Sequence, residues 1–212
     1  MRGPEVADPP DPPDPPDVPD PPDVPDRPDV RDRPDVRGRP LRALATDGVV
    51  RLRPLEVGDA EAQVAGEDDA MIRWLSDGRS TLAGQRRSLR RTRAAWDRRQ
   101  PAFDLGVEHV GSGALVGTLG LDAGLDVLRP GEVNVSYGMY PPWRGRGLAS
   151  RALSLGIGVA IDRFRPSLLV IRVDPANVAS VAVATRAGFT RSHHTVDGHG
   201  ALDCFVRAPV HT

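Results

Sequence analysis

The stretch Tyr140-Pro141-Pro142-Trp143-Arg144-Gly145-Arg146-Gly147-Leu148-Ala149 is the most informative part of this chain. It joins an alternating, strand-like run at 133–140 to a helix-like run at 148–164. A glycine-bearing loop at such a junction points backbone N–H groups, and the positive end of the helix dipole, at one spot. Gly145 and Gly147 have no Cβ atom to keep an anion away, and Arg144 and Arg146 can add charge-assisted hydrogen bonds. The stretch therefore predicts a phosphate or pyrophosphate cradle.

Two other phosphate-binding motifs compete for this stretch. The spacing Gly145-x-Gly147-x-x-Ser150 resembles a dinucleotide fingerprint, and Asp174 follows the next predicted strand, where a ribose-binding acid would lie. Three features oppose that interpretation: the third position is serine, a Pro-Pro-Trp insert separates strand from loop, and hairpin signals precede the motif. A Walker phosphate loop is excluded because the chain contains no lysine.

Periodicity and turn signals predict a mixed α/β domain rather than an all-parallel sheet. The element order is one strand, several helices, three strands, a helix, a strand, a helix and two strands. Predicted strands cover 49–53, 103–110, 114–121, 133–140, 168–173, 191–196 and 201–206, and predicted helices cover 59–63, 69–75, 80–99, 148–164 and 177–187. Asp59 is the predicted N-cap of the first helix. Glycine-containing turns at 111–113 and 197–198 predict two antiparallel hairpins.

The first 40 residues differ in composition from the rest. They hold 14 of the 22 prolines and carry 11 acidic against 6 basic residues, with Asp at every third position from Asp8 to Asp35. Proline forbids helix and central strand, so we expect residues 1–45 to be a disordered tail that samples polyproline II, and 46–212 to be the folded domain. The aspartates would line one edge of that left-handed helix.

Composition also limits the classes of partner and compartment. Beyond residue 40 the chain has 18 acidic and 22 basic residues, a small excess that suits an anionic small ligand and does not indicate nucleic acid. The single Cys204 excludes an intrachain disulfide and a multi-cysteine metal site, and we expect no metal. No apolar run approaches a membrane span and no signal core is present, so a cytoplasmic protein is expected. All 28 basic residues are arginine, which a GC-rich coding bias explains without a functional cause.

The glycine-bearing stretch at 140–149 resembles the acyl-CoA-binding motif of the GNAT N-acetyltransferases, which reads Arg144-x-x-Gly147-x-Ala149 in this chain. The later segments Asp174-Pro-Ala-Asn177-Val-Ala-Ser180 and Arg186-Ala-Gly188-Phe189 resemble the second signature of that family. Upstream, segments 52–55 and 72–75 look like the branch that acetylates N-terminal amines of ribosomal proteins. The resemblance covers residues 46 to about 207. It implies a three-layer α/β/α domain whose mixed, mostly antiparallel sheet is splayed at the cofactor site.

The resemblance also implies which residues bind acetyl-CoA, the expected co-substrate. The pyrophosphate is held by Arg144, Gly145, Arg146, Gly147, Leu148 and Ala149. The pantetheine arm lies in the splayed gap against the backbone of Tyr137 and Met139, and the Met139 N–H polarises the thioester carbonyl. Asn177 either bonds the pantetheine arm or caps its helix.

Acetyl transfer needs a proton donor for the thiolate and a base for the amine. By resemblance to the N-terminal acetylating branch, Ser180 supplies the proton, although a serine at this position also suits a structural hydrogen bond in the first turn of the helix. The tyrosine that many members use is replaced by Ala184, which leaves Ser180 or water. Glu132 is the first candidate for the base and Glu108 the second, although either position also suits a solvated strand-end charge.

Three histidines near the last turn, His193, His194 and His199, either border the acceptor pocket or are exposed turn residues. The expected reaction is direct acetyl transfer to a primary amine, an N-terminal peptide or a small molecule, in a ternary complex. A GNAT-like module that binds acyl-CoA without turnover is the alternative. Nothing in the sequence names the acceptor or the oligomeric state.

Overall fold

The computed structural model describes residues 44–75, 78–98, 100–197 and 200–210. The predicted tail therefore lies almost wholly outside the described residues, as do Gly198 and His199 of the last turn. The strands are β1 (Ala45–Thr46), β2 (Val50–Pro54), β3 (Ala102–His109), β4 (Ala114–Asp122), β5 (Glu132–Met139), β6 (Leu168–Val173), β7 (Thr190–Asp197) and β8 (Gly200–Arg207). The helices are α1 (Ala60–Gly66), α2 (Asp69–Leu75), α3 (Leu82–Asp97), α4 (Leu148–Phe164) and α5 (Val178–Arg186).

All eight strands form one sheet in the order β1-β2-β3-β4-β5-β6-β8-β7. The neighbours pair antiparallel except β5 and β6, which are parallel. That parallel ladder is short, running from Glu132 opposite Leu168 to Asn134 opposite Val170. Beyond it β5 continues to Met139 and β6 to Val173 with no further pairing between these described residues. The sheet therefore opens into a gap at its centre, as the resemblance implies.

Helices cover the sheet on both sides, so the domain has three layers. Alternate residues of β5 (Val133, Val135, Tyr137 and Met139) are buried in the main core together with Leu153 and Ile157 of α4. Leu89 of α3 belongs to a second buried cluster with residues of the β2–α1 segment. The mixed α/β fold predicted from sequence is confirmed.

Glycine in the middle of α4 has a packing reason that sequence alone does not reveal. A Cβ on Gly156 would lie 2.5 Å from the side chain of Leu119 on β4. The helix therefore approaches the sheet more closely than alanine would allow. The expected cost to helix propensity is offset by this close contact.

Asp59 lies at the predicted N-cap position of α1, but its side chain does not cap the helix. Asp59 ends a short 3₁₀ helix (Val57–Asp59), and its side chain makes no cap bond to α1. Its carboxylate instead accepts two bonds from the Arg53 guanidinium, at 2.8 and 2.7 Å, and one from the Glu56 N–H at 2.8 Å. The charge-assisted pair with arginine outcompetes a cap because both partners are largely buried.

Candidate active site

The loop between β5 and α4 has the geometry of an anion cradle. Gly145 and Gly147 adopt left-handed backbone conformations, with φ of 73° and 74°, and Gly147 is the N-cap of α4. A Cβ on either glycine would meet no atom within 4 Å, so the space in front of the loop is open. The first α4 backbone bond runs from the Arg151 N–H to the Gly147 carbonyl, so the N–H groups of residues 148–150 have no acceptor within the helix. These amides can receive an anion at the positive end of a 17-residue helix.

Arg144 holds this loop in place. Its Nε donates to the Met139 carbonyl at 2.9 Å, and its two terminal nitrogens donate to the Asp68 carboxylate at 2.6 and 2.8 Å. Those bonds lower the pKa of Asp68 to about 2. The Arg144 side chain is thus committed to the protein, and in this structure it ties the loop to the segment before α2. Arg146 is exposed, and its guanidinium lies 5.1 Å from the Trp143 ring centroid.

The backbone of β5 presents polar groups to the gap in the sheet. The Tyr140 N–H donates to the Val116 carbonyl on β4 at 2.9 Å. Because backbone groups of successive residues in a strand point to opposite sides, the N–H groups of Met139 and Tyr137 point away from β4 and into the gap. An extended ligand chain placed there would find the donors that an added strand would use.

Helix α5 closes one side of the gap. The Tyr137 hydroxyl donates to the Ser180 carbonyl at 2.9 Å, which joins β5 to the first turn of α5. Burial raises the pKa of Tyr137. Asn177 caps α5, its Oδ1 accepting from the Ser180 N–H at 3.1 Å, so the capping role is occupied and Nδ2 is the amide atom left to face a ligand. Leu148 is buried beneath the loop.

The opposite face of the sheet, which we call the α3 side, carries an acidic patch. Asp104 of β3 and Ser136 of β5 flank Gly120 of β4, and a Cβ on that glycine would lie 2.8 Å from Asp104 Oδ1 and 2.5 Å from Ser136 Oγ. Asp122 lies two residues further along β4. Desolvation raises the pKa of Asp104, and the negative charge of Asp122 raises it further. The buried Oδ1 of Asn134 has no hydrogen-bond partner within the described residues.

A single cavity of about 1120 Å³ joins these surfaces through the gap. Its lining includes Tyr137, Met139, Asn177 and Ser180 on the α5 side, the loop residues Arg144, Gly145, Gly147, Leu148 and Ala149, and Asp104, Asp122, Ser136, Trp74 and Arg91 on the α3 side. An anionic ligand at the cradle and a second molecule on the α3 side can therefore meet at the point where the strands separate.

The carboxylates proposed from sequence as the base lie elsewhere. Glu132 begins β5, seven residues before Met139, and accepts from the Arg129 N–H at 2.9 Å outside this cavity. Glu108 is bound to Arg51 at 2.9 Å and Arg53 at 2.8 Å. At about 3.3 Å per residue, Glu132 is more than 20 Å along the strand from Met139.

Other residues noted in the sequence also do not line this cavity. His193 lines a small separate pocket, and His194 pairs with Asp203 at 3.1 Å. His199 is not among the described residues. Ala184 is fully buried and belongs to the main core.

Sequence reasoning missed Asp104 and Asp122. Each looks like an ordinary polar residue of an alternating strand, and their proximity depends on the register between β3 and β4. The sequence did hold one signal. Each aspartate alternates with buried residues in its strand, and a predicted hairpin joins the two strands, so both side chains can lie on one face of the sheet.

No described helix has the length and apolar character to cross a membrane. Within the same residues, no group of three His, Cys, Asp or Glu side chains has the arrangement of a metal site.

Solved structures with this fold are numerous, and their sequences are distant. RimL, a ribosomal L7/L12 α-N-protein acetyltransferase solved in complex with coenzyme A, superposes with a TM-score of 0.67 at 17% identity, over 79% of this chain and 98% of that one. The ribosomal-protein-S5-alanine acetyltransferase from Vibrio fischeri gives 0.66 at 16% identity, over 79% and 96%. The aminoglycoside acetyltransferase AAC(6')-Ib, also with coenzyme A, gives 0.61 at 15% identity, over 75% and 94%.

Among curated proteins, none has a sequence that matches this chain significantly. The sequence model of the acetyltransferase (GNAT) domain matches residues 50–190, most of the folded part. That match agrees with the central gap, the glycine loop and the neighbours above. The chain belongs to the GNAT acetyltransferase family and is an acyl-CoA-dependent N-acetyltransferase.

Proposed function

We propose that this protein transfers an acetyl group from acetyl-CoA directly to a primary amine, with both substrates bound at once. The observation that carries this proposal is the alignment of two donor sets along one cavity. The N–H groups of Tyr137 and Met139 point into the gap, and the open glycine loop follows them at the N-terminus of α4.

The residues of the gap and loop fit coenzyme A by their chemistry. The amides of residues 148–150, with Gly145 and Gly147 leaving open space before them, would hold the diphosphate. The exposed Arg146 would add charge there, whereas Arg144 would act by keeping the loop in place through Asp68. Acetyl-CoA supplies the thioester. The Met139 N–H would donate to its carbonyl oxygen as negative charge develops.

The acceptor amine would enter from the α3 side. Its nitrogen forms a bond to the acetyl carbon as the carbon–sulfur bond breaks. Starting from an ammonium, two protons leave the nitrogen, one ending on the coenzyme A sulfur and the other in solvent. The Asp104 carboxylate, held beside Ser136 in this cavity, would take the outgoing proton directly or through water. Glu132 is less suited to that role because it lies outside the cavity.

Ser180 is the proposed proton donor to sulfur. It is half-buried on the α5 side of the cavity, and its backbone is fixed by Asn177 and Tyr137. Position 184 is alanine, so no tyrosine acts from there in this chain. If Ser180 delivers the proton, Ser180→Ala lowers kcat by about 10²-fold or more. An unchanged kcat would assign the step to water.

A thiol-release assay tests the function. The full-length protein is incubated with acetyl-CoA and a panel of short peptides with free N-termini, aminoglycosides and small amines, and free coenzyme A thiol is measured. Saturable, acceptor-dependent release is expected. Saturable coenzyme A binding with no release on any acceptor would contradict transfer and favour a non-catalytic acyl-CoA-binding module.

A further inference from the structure

The α3 side of the cavity carries charges of both signs in a defined arrangement. Its floor is acidic, with Asp104 and Asp122 on adjacent strands, and the unpartnered Oδ1 of Asn134 lies in the same strand layer. Its wall is basic, because Arg91 of α3 and Arg73 of α2 both line the cavity. A ligand seated here meets negative charge on the floor and positive charge on the wall of the same cavity.

The basic wall continues beyond the cavity as a row along α3. Arg87 lies one helical turn before Arg91, on the same side of the helix, and both side chains are exposed. Within the described ranges neither is paired with a carboxylate, whereas their neighbour Arg86 is bound to Glu61 at 2.7 Å. Residues four apart on a helix place their Cβ atoms about 6 Å from each other.

We infer that the acceptor is the N-terminal amine of a polypeptide whose following residues are acidic. The inference rests on the proposed amine acetylation and names the acceptor class for it. The terminal amine lies by Asp104, and the peptide leaves the cavity along α3 past Arg91 and then Arg87. In an extended peptide, alternate side chains share a face and lie about 6.6 Å apart, close to the spacing of the arginine row. Two acidic residues separated by one position can therefore each face an arginine.

The same arrangement disfavours polycationic acceptors. A second positive charge on the acceptor would lie beside Arg91 instead of a carboxylate, and like charges at that range repel. The acidic floor by itself would accept any amine. The arginine row is what separates an acidic peptide from an aminoglycoside or a polyamine.

Three hexapeptides test the inference. All begin with the same alanine and differ at positions three and five, which are Glu in the first, Gln in the second and Lys in the third. We expect kcat/KM in the order Glu, Gln, Lys, with a Glu-to-Gln ratio of roughly fivefold at low salt that shrinks as salt is added. Arg91→Gln should bring this ratio toward one, and the double variant with Arg87→Gln should remove it.

Arg129→Gln is the matched control, because it removes the same charge from an exposed loop residue that does not line the cavity. It should preserve the wild-type ratio. Equal rates on all three peptides, or a ratio that Arg91→Gln leaves unchanged, would overturn the acceptor class while leaving amine acetylation intact. Failure of every amine to release thiol would instead overturn the proposed function.

Discussion

Substitution of Gly147 is the sharpest perturbation of the proposed coenzyme A site, because two separate costs can be worked out for it. The residue has φ of 74°, and a Cβ would meet no atom within 4 Å. Gly147→Ala should therefore destabilise the free protein by about 1 kcal/mol through backbone strain, without a steric clash. Its methyl group would, however, project into the open space assigned to the diphosphate.

Gly147→Glu adds a negative charge to the same space. At about 5 Å, each unit charge on the diphosphate repels it by roughly 1 kcal/mol in water and roughly 3 kcal/mol at an effective dielectric constant of 20. Two such charges weaken coenzyme A binding by at least about 2 kcal/mol, or roughly 30-fold in Kd. Isothermal titration calorimetry with coenzyme A measures this change, and chemical denaturation measures stability separately.

Gly113 supplies the matched control. It has φ of 66°, a Cβ there would also meet nothing within 4 Å, and it lies in the turn between β3 and β4 outside the cavity. Gly113→Ala and Gly113→Glu should lose similar stability, about 1 kcal/mol, with unchanged coenzyme A affinity. Equal Kd values for Gly147→Glu and the wild type would refute the assigned cradle.

Three further predictions follow from the pKa shifts and the packing. Asp104→Asn should lower kcat by about 10²-fold or more and remove the acid limb of the kcat/KM profile, and that limb should lie above the ordinary carboxyl pKa because the pKa of Asp104 is raised. Asp122→Asn should move the limb to lower pH, because it removes the negative charge that raises the pKa of Asp104. A limb that neither variant changes would exclude Asp104 as the base. Arg144→Gln should cost about 1 kcal/mol in the free energy of unfolding at neutral pH. Because the pKa of Asp68 in the folded protein is about 2, below its ordinary value, the difference between variant and wild type should persist above pH 4 and shrink as the pH falls toward 2. Urea titrations in which this difference does not change with pH would contradict the pairing. Gly117→Ala should lower the melting temperature and cost about 1–3 kcal/mol, because its Cβ would overlap a backbone carbonyl of the neighbouring strand; a melting temperature equal to that of the wild type would show that the sheet relaxes there.

The sequence predicts the fold well because local signals and one motif agree. The alternation in β5, the glycine loop and the periodicity of α4 each specify their own element, and the structure has them within a residue of the predicted bounds. Two features escape such reasoning, each for its own physical cause. The two-residue strand β1 is too short to show a period, and the Asp59 side chain makes no cap bond at the N-cap of α1 because Arg53, six residues away, binds its carboxylate.

The candidate site also contains residues that the sequence reveals and residues that it does not. Residues that are consecutive in the loop, and the turn that begins α5, carry a local pattern that sequence reveals. Asp104, Asp122 and Arg91 come from three different elements, and only the strand register and the packing of α3 bring them to one cavity. Glu132 lies in the strand that leads to the loop, but a strand of eight residues separates its two ends by more than 20 Å.

A crystal structure of the protein with bound coenzyme A tests the central claim most directly. We expect density for the diphosphate against the backbone N–H groups of residues 148–150, and for the pantetheine arm between β5 and β6 along Tyr137 and Met139. A gap and loop that stay empty at saturating coenzyme A, or density for the cofactor at another surface, would contradict the assignment of this cavity as the acetyl-transfer site.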